Sequence, residues 1–224
     1  MNPALKEYLD GFFIPVYSGF DGGHNEYHYR TVTSNIIAIV QENPDMDFSE
    51  DYAYVIAAYH DYGMTISQAN HSSFSKQLFL QDSAKFIQNW SFLANDIEML
   101  AQAIEDHTYI PSCGLRNKYS ELLYYADKIG VPGEFAKRSI LYNLKHNPHF
   151  TKEEMFENAY SLMPRNKLKP SYGKFFKSRL FDSYQQAQMQ FQKMSKDECY
   201  AVWLSEYQSI ISQMSPDKGI SDSQ

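Results

Sequence analysis

Residues 51–63 read Asp-Tyr-Ala-Tyr-Val-Ile-Ala-Ala-Tyr-His-Asp-Tyr-Gly. An apolar helical run ends here in two adjacent ionisable side chains, His60 and Asp61. Taking such groups out of water unpaired costs several kcal/mol. A metal ion resolves that cost, because it holds a neutral imidazole and a carboxylate together.

Upstream, Val32, Ile36, Ile39 and Val40 recur at helical spacing and predict a helix from about Asn25 to Gln41. His28 lies near its start, on the same stripe as Val32. Asn43-Pro44-Asp45 ends that helix, and Asp47 and Ser49 are caps for the next, which runs to Tyr62 and stops at Gly63. Residues 3–13 form a short first helix with Leu5, Leu9 and Phe12 on one face. Ile14 to Gly23 reads as a loop, because Pro15, Gly19 and Gly22-Gly23 break regular structure.

Downstream, Gly63 to Asn70 is a loop, and His71 to about Trp90 is one or two helices with Phe74, Leu78 and Phe79 inward. Leu93 to His107 and Lys118 to Ile129 are further helices, separated by the loop Ile110-Pro-Ser-Cys-Gly114. Pro132 suits the first turn of another, to about Lys145. Thr151-Lys-Glu-Glu154 and Ser195-Lys-Asp-Glu198 match the capping box, so helices are expected at about 152–162 and 196–213. Tyr172 to Met194 is expected to be a third. With no strand-period stretch and no repeat, the fold class is all-α. The expected division is a metal-binding helical domain at 1–150, a C-terminal helical extension packed on it at 151–214, and a disordered polar tail at 215–224.

The chain has 224 residues, of which 43% are hydrophobic and 16% aromatic, enough for a sizeable core. Its net charge of -7 argues against general attraction to nucleic acid or to an anionic membrane surface. Cys113 and Cys199 stand far apart in unlike contexts, which argues against a disulfide framework or a thiolate metal site. The start, Met1-Asn-Pro-Ala-Leu-Lys-Glu, does not read as a signal peptide, and runs such as Ile36–Val40 are too short to span a bilayer. A cytoplasmic location is the default.

Six residues near helix ends or on apolar faces are candidate ligands: His28, His60, Asp61, His71, His107 and Asp127. N/O ligands converging from separate helices are how helical bundles build metal centres. Imidazole with carboxylate suits Zn, Fe, Mn or Ni, with Mg also allowed, rather than a thiolate-type site.

Taken in order, Gly23-His-Asn-Glu-Tyr-His28, Ala57-Ala-Tyr-His-Asp-Tyr-Gly63 and Ala126-Asp127-Lys128 resemble the HD superfamily of metal-dependent phosphohydrolases, over roughly residues 20–145. The resemblance implies that His28, His60, Asp61 and Asp127 hold a divalent metal ion. His71 and His107 match positions where some members add a second. The chain departs from the pattern at Thr31, where many members have Arg (Arg30 is one early), and at Met64, where many have a charged residue. Asp106 or Glu105 would replace the latter.

The activity implied is hydrolysis of a small phosphorylated metabolite or nucleotide by a metal-activated water, with Asp61 both ligating and orienting that water. Lys128 is the foremost candidate to neutralise phosphoryl charge, followed by Arg116, Lys118 and Arg138. Two other readings stand beside it. Some relatives with six such ligands use two irons and oxygen, and a ligand-sensing or interaction module would keep the fold without turnover. His24 precedes the second helix and is spaced i, i+4 from His28. Asn25 follows it where a zinc-protease HExxH motif needs Glu. His146 and His149 are expected to be solvent-exposed. The aromatic-rich C-terminal helices would bury against the core or against a second copy in a homodimer.

Overall fold

Asn2, Asn25 and Ser49 each place a side-chain oxygen on backbone N–H groups that have no partner inside a helix, and three helices start behind them. These are α1 (Pro3–Ser18), α2 (Glu26–Glu42) and α3 (Glu50–Tyr59). In the computed structural model, which describes residues 1–20, 23–108, 115–128, 132–162 and 175–214, seven more follow. They are α4 (His71–Trp90), α5 (Ile97–Asp106), α6 (Lys118–Lys128), α7 (Pro132–His146), α8 (Lys152–Leu162), α9 (Arg179–Lys193) and α10 (Lys196–Met214). Short 3-10 turns cover Pro44–Met46, Tyr62–Thr65 and Ala94–Asp96. No strand occurs among the described residues, so the fold is all-α.

The chain divides into two compact units, Met1–Ile129 with Lys169–Ser183, and Gly130–Leu168 with Tyr184–Gln224. In the first, α3 is the central rod. Every residue from Ala53 to Asp61 is buried, as expected of a helix that is apolar all round. It is surrounded by α1, α2, α5 and α6, while α4 packs on α5 and on the turn at Tyr62–Thr65. In the second, α7 packs against α8 and α10 around Ile140, Phe156, Ala159, Cys199 and Trp203. The reciprocal capping boxes form as their sequences require. Thr151 N–H donates to Glu154 Oε2 at 2.7 Å, and Glu154 N–H donates back to Thr151 Oγ1 at 3.2 Å. The Ser195–Glu198 pair repeats this at 2.7 and 3.3 Å.

Several boundaries differ from expectation. α1 does not stop at Phe13 but continues through Pro15 to Ser18. A proline inside a helix costs about 3 kcal/mol. Burial of Phe13 and Tyr17 against Tyr29 and Tyr59 offsets it, with ring centroids 4.7 Å apart for Phe13–Tyr59 and 5.0 Å for Tyr17–Tyr29. The buried stripe is Leu5, Leu9, Phe13, Tyr17, and Phe12 faces solvent. α3 ends at Tyr59, not Tyr62. α4 is one helix, and α5 starts only after the turn at Ala94–Asp96. α9 starts at Arg179, because Ser178 Oγ accepts the Phe181 N–H at 3.1 Å and caps it. Residues 172–174, the tail 215–224 and Cys113 lie outside the described residues. Among the described residues, no helix is long and apolar enough to cross a membrane.

Candidate metal centre

Five helices of the first unit deliver the six candidate ligands to one point. His28 comes from the first turn of α2. His60 and Asp61 come from the broken end of α3. His71 opens α4, His107 follows α5, and Asp127 sits near the end of α6. The break in α3 is immediate: His60 keeps helical dihedrals, but Asp61 has φ -105° and ψ 5°. Gly63 then lets the chain lie directly on the start of α4. A Cβ there would stand 2.0 Å from the His71 carbonyl oxygen and 2.5 Å from the Ser75 nitrogen. Its N–H donates to Ser75 Oγ at 2.7 Å. That close approach brings His71 to Asp61.

The Asp61 carboxylate lies at the centre. Its Oδ1 is 3.2 Å from His71 Nε2 and 3.3 Å from His107 Nε2. Its Oδ2 is 3.1 Å from His60 Nε2 and 3.4 Å from His28 Nε2. Asp127 Oδ1 is 3.3 Å from His28 Nε2. The imidazole nitrogens also face one another, at 3.1 Å for His28–His60 and 3.3 Å for His71–His107. Two sets with metal-ligand proximity result, His28/His60/Asp127 and Asp61/His71/His107, each with its ligand atoms within 4.8 Å of one another.

The far side of three of the rings fixes their protonation. His60 Nδ1 is 2.7 Å from the Ala57 carbonyl, His107 Nδ1 is 2.6 Å from that of Ile104, and His71 Nδ1 is 2.8 Å from that of Gln68. A nitrogen that close to a carbonyl oxygen carries a proton and donates it. In the neutral ring, Nε2 is then a bare lone pair aimed at a carboxylate. This is the outer-shell pattern that orients metal-binding histidines. Asp61 Oδ2 is buried and has no hydrogen-bond partner. The bare nitrogens of His60, His71 and His107 face the Asp61 carboxylate, lone pair against lone pair, unless a cation lies between them, so the residues fit a metal ion.

Burial opposes ionisation of Asp61, but His60 foremost, with His107 and His28, holds its carboxyl well below the usual range. Burial likewise opposes Asp127, and Lys128 leads the groups that hold it well below. His60 and His71 rise despite burial because Asp61 attracts their protons. His107 falls, through burial and the charge of His60, although it faces the same carboxylate. One carboxylate cannot keep three adjacent rings protonated.

The expected phosphate contacts separate. Lys128 is at the cluster, ion-paired with Asp127. Arg116 clasps Asp106, with Nε 2.9 Å and Nη2 2.5 Å from Oδ1, and Nη2 also reaches Glu105 at 2.8 Å. Asp106 and Glu105 are thereby committed to Arg116 rather than turned toward the ligands. Lys118 Nζ donates to the carbonyls of Met46 at 2.8 Å and Asp47 at 2.6 Å. It sits at the opposite end of α6 from Asp127, about 13 Å along the axis. Arg138 is on α7, in the second unit. Arg30 pairs with Glu26, and His146 and His149 are exposed as expected.

Two residues outside the six candidates join the site. His24 has its ring centroid 5.9 Å from His28 and 6.1 Å from His71. Its i, i+4 spacing to His28 was the available signal. Tyr17 gave none, because it falls in the segment expected to be a loop. Its hydroxyl meets the backbone at the end of α3, and burial keeps its pKa well above the ordinary phenol value. No protein-family model, curated protein or solved structure matches this chain. The class defined by fold and site is therefore an all-α protein with a buried His/Asp cluster able to hold a metal ion.

Proposed function

We propose that this protein is a metal-dependent phosphohydrolase of the HD type, acting on a small phosphorylated metabolite or nucleotide, and that its centre takes two divalent ions. One observation carries the reading: each oxygen of Asp61 faces its own pair of imidazole nitrogens, and Oδ2 is buried without a hydrogen bond. Asp61 would thus serve both sets of histidines. His28, His60 and Asp127 would hold one ion and His71 with His107 the other. Neutral imidazole with carboxylate suits Mn, Fe, Ni or Zn. When bound, such ions lower the pKa of a water and polarise a phosphoryl oxygen.

The chain's own residues supply the rest. The deep burial of His28, His60, Asp61 and His107 keeps bulk water from the ligands. His71 is the most open of the six, at 15% side-chain exposure, so substrate enters on its side, beside His24. Lys128 brings positive charge beside the ligand Asp127 through their ion pair. The six-ligand set equally supports a second reading, two irons and oxygen chemistry.

Metal content per chain, measured by elemental mass spectrometry on protein purified without chelator or affinity metal, tests the proposal. Two divalent ions lost together in Asp61→Ala, with turnover of a phosphate-ester panel, support hydrolysis. Two irons with oxygen consumption and no ester turnover favour the oxidative reading. Full metal occupancy with neither activity leaves a binding module. No metal after reconstitution with Mn, Fe, Ni or Zn sinks both enzyme readings.

A further inference from the structure

α3 stops inside the ligand set, and stopping a helix strands backbone groups. The Ala58 carbonyl lies in the last turn of α3, whose final carbonyls have no partner inside the helix. The Asp61 N–H lies beyond the helix end, and the Ala57 carbonyl that it would ordinarily reach accepts His60 Nδ1–H at 2.7 Å. Both stranded groups are buried, where an unpaired polar group is costly.

Tyr17 fills this gap from a different helix. Its hydroxyl donates to the Ala58 carbonyl at 3.1 Å and accepts the Asp61 N–H at 3.2 Å. The same oxygen is 3.3 Å from His60 Nδ1. A hydroxyl has one proton and two lone pairs. With the proton on Ala58, a lone pair receives the Asp61 N–H, while the His60 Nδ1–H goes to the Ala57 carbonyl, the shorter of its two contacts. The hydroxyl then has no proton left for His60 Nδ1, which agrees with Nδ1 carrying its own and leaving Nε2 bare toward Asp61 and His28. The residue is fully buried. α1 runs on past Pro15 to put it there.

We propose that Tyr17 is a positioning residue for the centre: its hydroxyl replaces the missing turn of α3, tying the Ala58 carbonyl to the Asp61 N–H on either side of His60 so that both side chains converge. This rests on the metal reading. Outer-shell partners of this kind are worth about 10–100-fold in metal affinity.

The test is Co2+ binding by chelator competition and visible absorption, together with thermal melting, for the parent, Tyr17→Phe and Tyr54→Phe. Tyr54 is also a buried α3-packing tyrosine, but its hydroxyl bonds Asp10, away from the ligands. The expected result is Co2+ affinity about tenfold weaker or worse in Tyr17→Phe, with a changed absorption band. Tyr54→Phe keeps the parent affinity and band. Parent-like affinity and spectrum in Tyr17→Phe overturn the inference while leaving the metal reading intact. A parent that binds no Co2+ overturns the metal reading and the inference with it. Long-range 1H–15N spectra of the metal-free parent add a test without any variant: His60 protonated on Nε2 would leave Nδ1 to accept the Tyr17 proton, take that proton from the Ala58 carbonyl and overturn the inference.

Discussion

At the scale of single residues, the six candidate ligands are unequal. Asp61 is shared between two sets of nitrogens, whereas His71 belongs to one and is the most open. Asp61→Asn keeps the shape and removes the charge that both sets require. It should lower metal content from about two ions per chain to less than one, whereas His71→Ala should leave about one. Elemental analysis of the two variants side by side checks this, and equal losses would argue against Asp61 serving both sets. Lys128 is a different kind of residue, next to a ligand but unable to coordinate while protonated. Lys128→Gln should retain the metal and lower kcat on a phosphate ester about 100-fold, since a charged donor aimed at developing phosphoryl charge is worth that much. Loss of metal in this variant would mean that the lysine acts only by holding Asp127.

At the scale of elements, the centre depends on how closely the chain after α3 lies on α4. Gly63→Ala would drive a methyl into the His71 carbonyl and Ser75 nitrogen, both backbone and unable to swing away. Overpacking of that kind should cost about 3 kcal/mol in chemical denaturation and pull His71 from the site. A denaturation midpoint close to the parent's would show that the turn can move. A second device ties α1, α2 and α3 together. Asp10 on α1 accepts hydrogen bonds from Tyr29 of α2 at 2.7 Å and Tyr54 of α3 at 2.6 Å, and pairs with Lys6. Burial opposes its ionisation, but Lys6, then Tyr54 and Tyr29, outweigh it, and its folded pKa lies below the ordinary carboxylate value. A depressed carboxyl contributes stability above its unfolded pKa and loses it as pH falls through the folded one. Asp10→Asn should therefore be less stable than the parent by about 1 kcal/mol at neutral pH. The gap should close as pH falls into the acid range. Melting curves across that range check the sign, and a gap that widens on acidification would contradict it.

At the scale of the whole molecule, all six candidate ligands lie in the first compact unit, while the second has its own core around Trp203. Metal that binds only the folded centre stabilises it by mass action, by about 2.7 kcal/mol at a free concentration 100 times Kd. Removing it with chelator should raise amide hydrogen exchange in α2 to α6 and leave α7, α8 and α10 as they were. A uniform rise over both units would show that the centre supports the entire chain.

The all-α class, most helices and the six residues of the cluster were legible in the sequence alone. Helical periodicity, Ser/Thr/Asn caps and the His-Asp pair at the end of an apolar run are local signals, carried by residues a few positions apart. Distances between helices are not local. Nothing in the sequence places Oδ1 of Asp61 against one pair of histidines and Oδ2 against another, or ties Arg116 to Asp106 and Lys118 to the Met46 and Asp47 carbonyls. Pro15 argued for a loop on propensity, and the burial of Phe13 and Tyr17 reversed that. Propensity is worth a few kcal/mol and packing can outweigh it. The sequence thus determined which chemistry the chain carries, and the tertiary structure decided how those groups meet, because burial against distant residues sets both.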